Sequence, residues 1–326
     1  MIDRPPASRI HWIEYPAELS RGGDVVLLHG LGSSAADWLL QAPVLQDRHR
    51  VIAVDLPGFG KSPRLPGWPS IAAYARAVDE AMAEAGIAAA HVIGLSLGGS
   101  VALQFGLDSP QRVLSLTLVN AFANLRVRRR AILRTAVRLT YVVLGRMDRV
   151  GAWVAEELFP DPPQEELRRF AAERLARGGR RSYLQAGQAL ARFNVRRRLA
   201  EIRCPTLVVA GENDSTIPSS AKEELARSIP GARLVRLTGS GHATPIDEAQ
   251  AFNQVVEAFL TEVEGRPGFD ASKGFARPGP VRASHPSSAP FHCAERAERF
   301  RRRERAPGPA GATAPSGRPC GHRPPG

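Results

Sequence analysis

Gly94-Leu95-Ser96-Leu97-Gly98 is the stretch on which the reading of this chain turns. It follows the short apolar run His91-Val92-Ile93 and leads into Ser100-Val101-Ala102-Leu103, so it reads as a strand, a sharp turn and a helix. Glycines two residues before and two after the serine let the backbone bend without Cβ clashes, leaving a strained serine at the strand end. The amide of Leu97, at the start of the helix, would then point at the oxygen of a carbonyl attacked by Ser96. Five residues with three fixed recur by chance, and small residues also mark ordinary strand-to-helix turns, so the pattern needs partners in the right order.

A serine so placed must be deprotonated by an imidazole, and the imidazole needs a carboxylate to fix its tautomer, so an acid and then a histidine should follow. Gly211-Glu212-Asn213-Asp214 follows the buried-strand pattern Pro205 to Ala210, and Gly239-Ser240-Gly241-His242 follows Arg233 to Leu237. Both stretches therefore lie in loops just past strand ends, where an open α/β sheet carries its ligand and catalytic groups. On these motifs the chain resembles the α/β-hydrolase superfamily over residues 24 to 262. The resemblance is to the capped branch of serine hydrolases related to esterases, enol-lactonases, carbon-carbon bond hydrolases and cofactor-free haloperoxidases.

The resemblance implies a doubly wound, mostly parallel sheet with an inserted helical cap. It implies a catalytic triad of Ser96, Asp214 and His242, with Ser96 on a nucleophile elbow. Asp214 is chosen over Glu212 because the family pattern is Gly, two residues, Asp, then Pro shortly after, matched here by Gly211, Asp214 and Pro218. Glu212 is the reserve. His242 fits between Leu237 and a final helix over Glu248 to Val263, whereas His11, His29, His49 and His91 precede the elbow and His285, His292 and His322 fall near the C-terminus.

Along the chain, Arg9 to Tyr15 reads as a first, partly exposed strand. Val25 to Leu28 is a short buried strand running into His29-Gly30-Leu31-Gly32-Ser33-Ser34, followed by a helical pattern from Ala36 to Gln46. In the resembled family the loop after such a His-Gly pair gives the second oxyanion amide, here that of Leu31, and a backbone donor lets the side chain be apolar. His29 itself reads as a loop-fixing hydrogen bonder. Val51 to Val54 forms another strand, and the turn Asp55-Leu56-Pro57-Gly58-Phe59-Gly60-Lys61-Ser62 follows it. Asp55 precedes the nucleophile while the family acid follows it, so Asp55 reads as a turn-stabilising carboxylate. Ser70 to Gly86 is an alanine-rich helix with Ser70 as N-cap and Gly86 as stop. After the strand Val113 to Val119 comes Asn120, where some α/β-hydrolases place the acid. Asparagine can hydrogen-bond but cannot hold a charge that stabilises an imidazolium.

The strand-and-helix pattern covers residues 1–120 and 204–264, which the resemblance makes the hydrolase core; a helical insertion over residues 121–203 lies where the resembled family puts its cap; and composition sets off a tail of residues 265–326. The insertion reads as helices over Arg126 to Gly145, Val150 to Leu158, Gln164 to Arg177 and Tyr183 to Phe193. Arg126, Arg130, Arg134 and Arg138 recur every fourth residue along one helix face. Of the net charge of +12, the insertion carries +11 and the tail +8, leaving −7 on the core. The basic face reads as a solvated surface in its bland form. In its sharp form, Arg130, Arg134 and Arg138 bind an anionic substrate or the face touches an anionic lipid surface. The tail has eleven Pro, nine Gly and almost no aliphatic residues, too little apolar surface to offset the entropy of ordering, and is expected to be disordered. Its Arg, Pro, Gly and Ala bias suits sequence read past an ancestral domain end after a frame shift better than a basic arm for an anionic partner.

With 326 residues, 43% of them hydrophobic and 23% charged, the chain can bury a large core. Three cysteines, only Cys204 among them in the globular part, argue against a disulfide framework, and no apolar run reaches membrane-spanning length. A cytoplasmic protein with no transmembrane segment and no nucleic-acid partner is expected. The preferred chemistry is hydrolysis of a small-molecule carboxylic ester or thioester through an acyl-enzyme, with no metal or organic cofactor. A carbon-carbon bond hydrolase, enol-lactonase or cofactor-free haloperoxidase/perhydrolase is the enzymatic alternative, and a non-catalytic hydrolase-fold receptor or binding module the alternative of another class.

Overall fold

The computed structural model describes residues 2–4, 10–19, 22–125 and 132–271. Among the described residues eight strands form one sheet: β1 (Ile2–Arg4), β2 (Trp12–Tyr15), β3 (Asp24–Leu28), β4 (Val51–Val54), β5 (Ala90–Leu95), β6 (Val113–Val119), β7 (Thr206–Gly211) and β8 (Arg233–Leu237). Their order is β1-β2-β4-β3-β5-β6-β7-β8, with antiparallel pairing confined to β1, β2 and the β2–β4 edge. From β4 to β8 every pair is parallel. This is the doubly wound, mostly parallel sheet that the resemblance implies.

Such a sheet is covered on both faces, so its strands are buried without alternation. In β3, Val26 and Leu28 pack with Tyr74, Val78 and Met82 of α2 (Ile71–Glu84) and with Val101 and Phe105 of α3 (Leu97–Asp108). Val25 and Leu27 point the other way, onto Trp38 and onto Phe252, Val256 and Phe259 of the C-terminal helix Ala249–Glu264. The period of two thus sends successive apolar residues into two separate cores. The helix expected over Ala36 to Gln46 is instead a 3-10 turn, Ala35–Trp38, and a single helical turn, α1 (Ala42–Leu45), with Pro43 at its start. Proline supplies no amide to an upstream carbonyl, so one continuous helix could not pass it.

Between β6 and β7 the chain forms α4 (Ile132–Val143), α5 (Met147–Leu158), α6 (Glu165–Arg177) and α7 (Arg180–Arg192). The last three agree with the expected insertion helices to within three residues at each end, whereas the expected start of the first, over 126–131, lies outside the described residues. Val142, Met147, Val150, Leu175 and Tyr183 make a small core of their own, and Leu31 packs against it. Arg126 and Arg130 lie outside the described residues. Downstream come α8 (Ser219–Ser228), α9 (Thr244–Asp247) and α10 (Ala249–Glu264). Among the described residues no helix is long and apolar enough to cross a membrane.

The tail expected from residue 265 does not begin there in the fold. The Phe269 ring stacks on His91 at 6.0 Å and 13° and packs on the core layer shared with α10. The remainder, 272–326, lies outside the described residues. Phe269→Ala in the full chain is therefore expected to lower stability by about 1–2 kcal/mol, read as a fall in urea midpoint at unchanged m-value. An unchanged midpoint would remove Phe269 from the fold.

Candidate active site

At the end of β5 the backbone turns into α3 through Ser96, whose φ of 53° and ψ of −106° lie in the left-handed half of the map. A side-chain-bearing residue is held there only when its surroundings force it. The force is steric: a Cβ at Gly94 would collide with the Gly98 carbonyl, and one at Gly98 with the carbonyls of Leu28 and His29. The turn can therefore close only with glycine at both positions. The Ser96 N–H donates to the Val119 carbonyl at 2.9 Å, fixing the serine against the end of β6. Leu97 opens α3, so its N–H has no acceptor within the helix.

The loop after β3 lies against this turn, with Gly30 close to Leu95. His29 is fully buried and bridges two loops: Nδ1 donates to the Gly30 carbonyl at 2.7 Å, and Nε2 accepts from the Leu56 N–H at 2.9 Å. Burial brings its pKa down to about 4, so at neutral pH it is an uncharged brace. Asp55 ties the same region together by accepting from the amides of Ala35 at 2.7 Å and Lys61 at 2.9 Å and pairing with His11 Nδ1 at 2.7 Å. Both residues have the structural parts read for them in the sequence. Arg174 of α6 reaches this loop, pairing with Asp37 at 2.7 Å and with Ser34 Oγ, so the insertion is fastened beside Leu31.

Asp214 and His242 meet past the ends of β7 and β8, with His242 Nδ1 at 3.1 Å from Asp214 Oδ1. The same Oδ1 accepts from the amides of Thr216 at 2.8 Å and Ile217 at 3.1 Å. Ser96, Asp214 and His242 are each under 10% exposed. Burial alone would raise the Asp214 carboxyl, but the charges and hydrogen bonds of His242 and Lys222 outweigh it and hold the group well below the usual carboxylate range. Glu212, the reserve acid, is exposed on the same loop.

Lys222 has no part in the sequence reading, and Asn120 appears there only as a position that cannot hold the triad charge. Asn120, with φ of 44°, follows Val119 and donates from Nδ2 to the carbonyls of His242 at 2.9 Å and Gly241 at 3.1 Å and to Thr244 Oγ1 at 2.8 Å. Its Oδ1 accepts from the Gly211 N–H at 2.9 Å. It links the end of β6, on which the Ser96 amide rests, to the backbones of the loops that carry Asp214 and His242. Lys222 of α8, 1% exposed, places Nζ 2.8 Å from Asp214 Oδ2. The signal for it lies in α8 and the residue that caps it, where Lys222, Leu225, Ala226 and Ile229 form an i, i+3, i+4, i+7 stripe whose first slot is charged.

Arg134 and Arg138 of α4 both face Glu157 of α5, at 2.9 Å and 3.8 Å, and the Arg134 guanidinium lies over the Trp153 ring at 5.8 Å. Arg134, Trp153, Glu156, Glu157, Pro160 and Ser215 line a cavity of about 560 Å³. Ser215 adjoins Asp214, so this cavity opens beside the acid loop.

The family described as alpha/beta hydrolase fold matches residues 24–249. A Klebsiella pneumoniae protein named "Putative carbamate hydrolase RutD" is 33% identical over 246 residues, covering 73% of this chain and 91% of that protein. Among solved structures, a hydrolase from Pseudomonas aeruginosa superposes with a TM-score of 0.69 at 28% identity, covering 77% of this chain and 94% of its own. The enol-lactonase from Burkholderia xenovorans superposes with a TM-score of 0.71 at 25% identity, covering 77% and 96%.

Proposed function

We propose that this chain, which belongs to the α/β-hydrolase fold family, is a serine hydrolase that cleaves a small-molecule carboxylic ester or thioester through an acyl-enzyme. The observation that carries the reading is the hydrogen-bonded pair Asp214–His242 at the same sheet end as Ser96 in its left-handed turn. In this mechanism His242 takes the Ser96 proton as Oγ attacks the carbonyl carbon. Asp214 holds the imidazole in the tautomer with Nδ1 protonated and stabilises the imidazolium that forms. The amides of Leu31 and Leu97 receive the oxyanion. The imidazolium then protonates the leaving alkoxide or thiolate, water enters, and His242 activates it to release the acid and regenerate Ser96.

The helical insertion acts as the cap: its small core rests on Leu31, and Arg174 fastens α6 to Ser34 and Asp37. Anchoring the Leu31 side chain in this way steadies its amide. Cys204 fits a reducing, cytoplasmic setting, as a buried free thiol pushed up to about 12 by burial.

A pre-steady-state measurement with an activated aryl ester tests the reading. A burst of alcohol release close to one equivalent of enzyme is expected, and linear release from time zero, or no release, would overturn the acyl-enzyme. A substrate panel of esters, thioesters, carbamates and lactones then sets the substrate class. Carbamates enter because of the Klebsiella relative, and a carbamate carbonyl presents the same electrophile to Ser96.

Arg134 and Arg138 share Glu157, and Glu156 also lines the cavity beside Ser215, so the two arginines balance two carboxylates there and their removal would leave the cavity negative. Replacing both by Gln is expected to raise KM for an anionic ester by about 2- to 5-fold over that for a neutral one, with added salt eroding the difference. Equal effects on both esters at low salt would leave the pair as a brace between α4 and α5.

A further inference from the structure

Lysine is rarely fully buried, and a buried ammonium is held only where its protons find acceptors. Lys222 Nζ has three within reach: Asp214 Oδ2 at 2.8 Å, Asn120 Oδ1 at 3.2 Å and the Gly211 carbonyl at 3.4 Å. The Asp214 carboxylate is divided accordingly. Oδ1 takes the amides of Thr216 and Ile217 and faces His242, whereas Oδ2 is met by Lys222. A rotation of the carboxylate would forfeit contacts on both sides. Asn120, which accepts from Lys222, also donates to the His242 carbonyl, so both the ring and the backbone of His242 rest on groups bound to this lysine.

We propose that Lys222 is a positioning residue of the catalytic pair: it fixes Asp214 so that Oδ1 faces His242, and its charge offsets part of the carboxylate's pull on the imidazole. The proposal rests on reading Ser96, Asp214 and His242 as a triad. Its physical basis is that a bare buried carboxylate beside an imidazole strongly favours the imidazolium, which cannot serve as a base. An ammonium on the far oxygen offsets part of that charge. Burial disfavours the charged lysine, and the adjoining carboxylate opposes this. The other charges facing the group are few. Arg236 of β8 acts on Lys222, and Asp247 of α9 is tied to Ser240 and the Gly241 amide on the histidine loop.

The test compares full-length Lys222→Met and Lys222→Gln with the unaltered protein, following the rate of fluorophosphonate labelling against pH. The midpoint of the rise is expected to move up by about one pH unit in both variants, with labelling near pH 9 largely retained. A lysine that only holds the loops together would lower labelling at every pH without moving the midpoint, and that result overturns the proposal. The His242 imidazole resonance, titrated in a Ser96→Ala background, should move by the same amount. This readout needs no turnover, so a failure of Ser96 as nucleophile, seen as no labelling in any form, is distinct from a failure of Lys222. Gln keeps a donor toward Oδ2 if Met unfolds the protein. Should neither variant fold, the nitrogen resonance of Lys222 in the unaltered protein decides: it must report an ammonium at pH 7, and a neutral amine there overturns the proposal.

Discussion

Ser96→Ala is expected to lower turnover on the order of 10⁴- to 10⁶-fold and to remove all covalent labelling by a fluorophosphonate. The fold should survive the change. Ser96 occupies the N-cap position of α3 but makes no side-chain capping bond, and its backbone hydrogen bond to Val119 does not involve the hydroxyl. Alanine suits the left-handed conformation no worse than serine does, so the melting temperature should move by no more than about 2 °C. Nearby serines offer no substitute: Ser100 is fully buried inside α3, and Ser34 is engaged by Arg174. Labelling that persists in the variant would place the nucleophile elsewhere and remove the basis of the proposed chemistry.

The elbow was legible in the sequence because its constraint is local. Gly94 and Gly98 are required by backbone atoms within a few residues and by one neighbouring strand end, and a five-residue pattern can carry that. The sheet was legible for a similar reason, since parallel strands buried on both faces must be unbroken apolar runs. Asp55 and His29 could be set aside by their position in the chain, and each proves to be a brace between loops. What could not be read is convergence. Asn120 leaves β6, Gly211 ends β7, Lys222 lies on α8 and His242 follows β8, so no periodicity in the chain brings them together. The arginine stripe misleads in the same way: a four-residue repeat shows a charged face but not that Glu157 of the next helix stands opposite it. Phe269 was hidden by its surroundings, an aromatic in Gly- and Pro-rich sequence that finds the His91 ring on a distant strand.

Asp214→Asn is expected to reduce turnover by about 10⁴-fold and, unlike Ser96→Ala, to destabilise the fold. The reason lies in what each carboxylate oxygen accepts. With its amide oxygen in the place of Oδ1, asparagine satisfies the amides of Thr216 and Ile217 but turns its NH₂ toward the Lys222 ammonium, donor against donor. Flipped, it faces Lys222 with oxygen and presents NH₂ to those amides and to His242, which must then adopt the other tautomer. Either arrangement leaves a buried donor without an acceptor, and the first strands a buried cation, so a loss of about 3 kcal/mol follows. The pH dependence has a definite sign. Asp214 is depressed in the fold, so its contribution to stability is full above its unfolded value near about pH 4 and is lost as the pH falls toward the folded value. The variant lacks that ionisation, so its deficit against the unaltered protein, measured by urea unfolding, should be largest near neutral pH and narrow in acid. Glu212→Gln is the control, because Glu212 is exposed on the same loop and should change turnover by no more than about twofold. If Glu212→Gln caused the greater loss of turnover, the acid of the triad would be Glu212, and the buried pair of Asp214 and Lys222 would be left with a structural part alone.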